Sequence, residues 1–215
     1  SAGEVVERPA SVVKELLENS LDADSKQIDI VIEQGGHQFI QVRDDGKGIP
    51  KDQIPLAIKR FHTSKISNLD DLFTISTLGF RGEALASIAS VAHLSIISSN
   101  GNNEGAELSI SDGKIGELAP AAIIGGTQLT IRDLFYNTPA RKKFLKTPRT
   151  ESRKIIDMVR RFGISRPNVG FSLIVDGKKV IDVIPEELDE RIATFFDNTY
   201  KKNIIPINIS RVDYS

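Results

Sequence analysis

Two stretches of alternating hydrophobicity, QIDIVIE at 27–33 and QFIQVRDD at 38–45, stand on either side of Gly35-Gly36. Period two puts Ile28, Ile30 and Ile32 on one face of the first stretch, and Ile40 and Val42 on one face of the second. The glycine pair supplies a turn, so the segment reads as a β-hairpin with one apolar side. A two-stranded hairpin is marginal alone, so that side needs a cover. VVKELLENSLDA, residues 12–23, offers one. Val12, Val13, Leu16, Leu17 and Leu21 recur at helical spacing, and Pro9 suits a first helical turn.

The rest of the chain continues in the same manner. Residues 52–61 read as a short helix and 62–77 as polar and loop-like. GFRGEALASIASVA is a glycine-rich loop running into a helix at about Glu83. Strands are expected at 93–99, 106–111 and 127–132, and a basic helix at about 149–162. Strands at 171–175 and 179–184 flank an Asp-Gly turn, and Pro185 precedes a last helix near 187–197. This order describes an α+β domain with helices layered on one face of a sheet.

Composition narrows the chemistry. The 215 residues are 40% hydrophobic and 27% charged, enough to bury a sizeable core. No run of 18 apolar residues and no signal-peptide pattern occur, which argues against a membrane partner. With no cysteine, disulfides and thiol chemistry are excluded. The three histidines are scattered and do not form a metal-binding pattern. Net charge is −1, but its distribution is uneven. Residues 141–166 carry ten Lys or Arg against Glu151 and Asp157, a +8 segment in a chain otherwise at −9. Such asymmetry marks either an interaction face or a solvated helix face.

Four short stretches carry candidate chemistry. On the first helix, Glu15 and Asn19 lie one turn apart at the flank of the apolar stripe, where asparagine has no packing role. In VRDDGKGI, alternation sets Asp44 on the face of Ile40 and Val42, and Arg43 and Asp45 on the other. A carboxylate so placed needs a donor. Gly46 and Gly48 would let the backbone approach a flat ligand. Taken alone, this stretch is better read as a solvated Asp-Gly turn. In LGFRGEALASI, Gly79 and Gly82 bracket a tight loop opening a helix, which fits an anion cradle or an ordinary glycine turn equally well. No GxxxxGK[ST] occurs. Gly126-Thr127 opens a strand. The Thr127 hydroxyl could donate to a phosphate, although ordinary strand entry after a Gly-Gly turn explains it better.

In this order the four stretches resemble the motifs of the GHKL ATPase superfamily, which includes gyrase B subunits, Bergerat-fold chaperones and sensor histidine kinases. AGEVVERPASVVKELLENSLDA, TSKI, LGFRGEALASI and DLFYNTPARKKFL narrow the resemblance to the N-terminal ATPases of the MutL family of DNA mismatch repair proteins. The resemblance implies a Bergerat fold, with a mixed or antiparallel sheet against helices, and the cofactors ATP and Mg²⁺. It implies that Asn19 is the metal ligand and Glu15 the general base. Asp44 would accept from the adenine amino group, with Gly46 and Gly48 beside it. Thr63, Ser64 and Lys65 would lie in a lid. Gly79, Phe80, Arg81, Gly82, Glu83, Ala84 and Leu85 would belong to the nucleotide site, with Arg81 to Leu85 wrapping the phosphates. Thr127 completes the set.

Asp45 departs from the family's usual asparagine. Adjacent carboxylates disfavour each other's ionisation, but alternation points Asp45 away, beside Arg43 and Lys47, so adenine binding is expected to survive. The resemblance also implies an ATPase domain over 1–186, with 187–215 as a connecting helix and the start of a second domain. The family's lead-in segment and its second-domain lysine for the γ-phosphate are not found, so the chain reads as a fragment, expected to be a monomer. The intact protein would pair as a homodimer or heterodimer on ATP binding. Its partners would be mismatch-recognition and downstream repair proteins and, weakly, DNA through 141–166. The location would be intracellular: cytoplasm or nucleoid in a bacterium, nucleus in a eukaryote. The alternatives are a DNA-binding module with a vestigial nucleotide pocket, and a gyrase B-like ATPase.

Overall fold

Every strand expected from alternation forms, and one sheet collects them. The computed structural model describes residues 6–59, 82–101 and 104–196. Helix α1 spans Pro9–Asp22, with Pro9 at its first turn. Strands β1 (Gln27–Glu33) and β2 (Phe39–Asp44) form the hairpin, joined by a 3₁₀ turn at Gln34–Gly36. A second 3₁₀ turn, Lys51–Gln53, leads into α2 (Ile54–Lys59), and α3 covers Gly82–Ala89. Then come β3 (His93–Ser99), β4 (Gly105–Ser111), β5 (Lys114–Ile115), β6 (Ala119–Ala121) and β7 (Gly126–Arg132). Helices α4 (Pro139–Phe144) and α5 (Pro148–Ser165), strands β8 (Gly170–Val175) and β9 (Lys178–Val183), and α6 (Leu188–Phe196) complete the described chain.

Among the described residues, the strand order is β5-β4-β3-β7-β2-β1-β8-β9, with β6 beside β4. Each of these pairs is antiparallel except β1 with β8, so the sheet is mixed, as expected. Register explains the burial. Ile30 opposes Val42 and Val42 opposes Leu129, while Ile96 opposes Leu129 in turn, giving one continuous apolar face. Val12, Val13, Leu16 and Leu17 of α1, together with Ile155 and Val159 of α5, bury against it. The other face is polar and open. There Gln41 donates to Thr130 Oγ1 at 3.1 Å and Ser95 to Glu107 Oε1 at 2.8 Å. Two layers result, with the core between helices and sheet.

The structure adds α4, β5 and β6, which alternation and periodicity did not reveal. It lengthens the basic helix by a residue at its start and three at its end. Among the described residues, no helix is long and apolar enough to cross a membrane.

Candidate active site

The site grows from the end of α1. Helix geometry sets Ser20 on the buried stripe between Leu16 and Leu17 on one side and the sheet on the other. Its hydroxyl lies 3.0 Å from the Leu16 carbonyl and 3.0 Å from Asp44 Oδ2. The Gly46 N–H donates to Asp44 Oδ1 at 2.9 Å. Asp44 is therefore at the sheet's apolar face, as alternation requires, and only 7% exposed. Burial pushes its carboxyl above the ordinary carboxylate range, opposed by donation from the Gly46 N–H, the Ser20 and Ser25 hydroxyls and the Thr127 N–H.

The turn after Asp44 is locked to the same helix end. The Lys47 N–H donates to the Ala23 carbonyl at 2.9 Å, and the Ser25 hydroxyl to the Ser20 carbonyl at 2.6 Å. At both glycines the structure shows a close approach within the chain itself. A Cβ on Gly46 would strike Ser25 Oγ and Ala23, and one on Gly48 would strike the Ser99 carbonyl. Gly48 also has φ +64, which disfavours other residues. The Gly46 approach, to Ala23 and the Ser25 side chain, sets the turn after Asp44 against the end of α1, and the Gly48 approach sets it against β3.

Asp45 behaves as expected. It is exposed, and its Oδ1 accepts from the Lys26 N–H at 2.7 Å and the Gln27 N–H at 2.9 Å. It holds the start of β1 and makes no contribution to the shift of Asp44.

Glu15 and Asn19 are both half-buried on α1, five residues and one residue, respectively, before Ser20. On the surface of this helix Lys14 pairs with Glu18 at 3.3 Å. Glu15 makes no ion pair with a described residue. Among the described residues no group of three His, Asp or Glu could hold a metal. A Mg²⁺ on the Asn19 amide oxygen would therefore take its other oxygens from phosphate and water, a normal arrangement for that ion.

Thr127 sits directly opposite Asp44 in the β2–β7 register, on the same face. Its hydroxyl lies 2.8 Å from Ser98 Oγ, so the residue stands beside the carboxylate with its hydroxyl already in a hydrogen bond. Leu85 packs against the core. Gly82, Glu83 and Ala84 form the first turn of α3, which starts one residue before the position expected. Thr63, Ser64, Lys65, Gly79, Phe80 and Arg81 lie outside the described residues. Sequence reading missed Ser20 and Ser98. The available signal was a serine in a helix's apolar stripe and another on the inward face of a strand, both positions that demand a polar partner.

A helix whose flank carries Glu and Asn, set against a buried carboxylate on a strand of the sheet, is the arrangement the sequence resemblance implies for a Bergerat-type nucleotide site, and the Ser20 tie adds to it. Residues 7–117 match the profile of the histidine kinase-, DNA gyrase B- and HSP90-like ATPases. The structure is similar to the Aquifex aeolicus MutL ATPase domain complexed with ADP, with a TM-score of 0.71 and 32% identity, covering 89% of this chain and 70% of that one. It is also similar to the N-terminal domain of a DNA repair protein, with a TM-score of 0.76 and 32% identity, over 92% of this chain and 60% of that one. The DNA mismatch repair protein MutL of Streptococcus pneumoniae serotype 19F (strain G54) is 47% identical over the whole chain. HexB of S. pneumoniae serotype 4 is 46% identical. The chain spans about a third of the length of these curated relatives (33%). It belongs to the histidine kinase-, gyrase B- and HSP90-like ATPase family and, within that class, to the MutL-type ATPase domains of DNA mismatch repair.

Proposed function

We propose that this chain is a Mg²⁺-dependent, slowly hydrolysing ATP switch of DNA mismatch repair. Its nucleotide state would control dimerisation and contacts with mismatch-recognition and downstream repair proteins, inside the cell. The observation that carries this reading is the Ser20 bridge, which joins the helix of Glu15 and Asn19 to the buried Asp44. One side chain thus couples the phosphate-facing helix to the base-facing carboxylate.

In this reading Asp44 accepts from the adenine amino group, and Asn19 supplies an amide oxygen to the metal. Bound Mg²⁺ neutralises phosphate charge. Glu15 orients a water and takes its proton as general base. Gly82 to Leu85 offer the backbone N–H groups of the first turn of α3 to phosphate oxygens, and Gly79, Phe80, Arg81, Thr63, Ser64 and Lys65 belong to the same nucleotide site. Because the Leu85 side chain packs inward, its contribution is through its backbone. Residues 1–186 form the ATPase domain, and 187–215 a connecting helix with the start of a second domain. Calorimetry with a non-hydrolysable ATP analogue, with and without Mg²⁺, tests the reading. Saturable, Mg²⁺-strengthened binding is expected, and no binding in either condition would overturn it.

DNA contact is a second element of the proposal. Of the ten cations between 141 and 166, nine are exposed and Lys154 is half-buried. None is ion-paired with a described residue. Such a surface suits duplex phosphates without reading sequence.

A further inference from the structure

Ser98, on β3, is 1% exposed, and its hydroxyl meets three groups at hydrogen-bonding distance. The Ile49 N–H donates to it at 2.8 Å, the Gly126 carbonyl lies at 2.9 Å and Thr127 Oγ1 at 2.8 Å. A hydroxyl has one proton and two lone pairs. A carbonyl can only accept, so the Ser98 proton goes to Gly126. One lone pair is filled by the Ile49 N–H. The remaining lone pair can only receive the Thr127 proton. Thr127 therefore spends its single proton on Ser98 and presents lone pairs alone to anything beside it.

Opposite Thr127 stands Asp44, which as a carboxylate is also an acceptor only. We propose that Ser98 is a specificity-setting positioning residue. By holding the Thr127 proton, it makes the Asp44–Thr127 end of the site a wall of acceptors that favours a base carrying a 6-amino group over one carrying a 6-oxo group. At position 6 the amino group supplies protons to this wall, whereas a 6-oxo oxygen sets a further acceptor against it and leaves N1–H as that edge's one donor. A site whose buried polar groups are left unpaired rejects a ligand far more strongly than a site of merely poor shape. The inference rests on the reading of Asp44 as the base-binding carboxylate.

The test measures binding of ATP and inosine triphosphate by calorimetry in Mg²⁺, with circular dichroism to establish folding. Ser98→Ala releases the Thr127 proton, which can then donate to the 6-oxo oxygen. The ATP-over-inosine preference is expected to fall by roughly tenfold, the effect of about one hydrogen bond. A purely structural role would weaken both nucleotides equally and leave the ratio unchanged, which overturns the proposal. If Ser98→Ala does not fold, Thr127→Val serves instead, since it spares the Ser98 bonds to Ile49 and Gly126. It should lower the ratio by weakening ATP alone, and equal losses would overturn the proposal. The two readings fail differently. If the wild-type chain binds neither nucleotide, the base-site reading falls and this inference with it. If Asp44→Asn weakens ATP while Ser98→Ala leaves the ratio intact, only this inference falls.

Discussion

Asp44 holds its position against a cost. Its raised carboxyl means that the folded state prefers the neutral form. That preference favours folding fully below the unfolded carboxyl range and is lost as pH rises through the raised folded value. At neutral pH the ionised group therefore destabilises the empty protein. An amide at this position would keep the acceptor for the Gly46 N–H. It could also donate to Ser20 Oγ, freeing the serine proton for the Leu16 carbonyl. Asp44→Asn is thus expected to stabilise the nucleotide-free protein by about 1 kcal/mol at neutral pH, with the gain fading in acid, while weakening ATP binding. Thermal denaturation at two pH values checks the first part and calorimetry the second. Loss of stability at neutral pH would contradict the account. Glu15→Ala should leave ATP affinity nearly intact and lower hydrolysis by ~10²–10⁴-fold, because a general base acts on water and does not hold nucleotide. Equal losses of binding and turnover would remove that role.

Among the elements, those with a strong period were legible and those without one were not. β1 and β2 announced themselves because half of their residues face the core. α4 has no buried residue and no apolar stripe, so PARKKF gave no periodic signal. β5 and β6 are two and three residues long, and β6 contains Pro120, which argues against a strand in sequence. At the site, the flank of α1 and the inward direction of Asp44 were readable from periodicity. The partners of Ser20 and Ser98 were not, since an inward serine shows that a polar partner is needed but not which group the tertiary fold brings to it. α6 shows another such tie. Arg191 is fully buried, donates to the Gly163, Pro167, Val169 and Ile184 carbonyls, and pairs with Glu186 Oε1 at 2.6 Å. Arg191→Ala should cost roughly 3–5 kcal/mol, the scale of a broken buried pair. Hydrogen exchange should show α6 and the α5–β8 connection opening first. On the basic helix, reversing Arg153 and Lys154 to glutamate should flatten the salt dependence of duplex binding, since each phosphate contact contributes about −0.9 to the slope of log K against log salt. An unaltered slope would place the DNA contact elsewhere.

The whole molecule should respond to nucleotide as a single unit, because α1, the sheet and α5 share one core. A ligand bound only to the folded state at a hundred times its Kd stabilises by about 2.7 kcal/mol. Mg²⁺-ATP should therefore raise the melting temperature, and in Asn19→Ala the Mg²⁺-dependent part of that rise should vanish. A full Mg²⁺ effect in the variant would rule out Asn19 as the metal ligand. The pairing of β1 with β8 has a different consequence, which concerns how the protein comes into being. Ser172 reaches back to Asp29 across 143 residues at 2.6 Å, within the parallel ladder of those two strands. On a ribosome adding roughly 5–20 residues per second, that partner emerges on the order of ten seconds after β1 does. For that interval the outer edge of β1 is bare, with unpaired backbone groups beside three isoleucines. The nascent chain is most open to mispairing then, and a chaperone that covers a strand edge would be most useful to it.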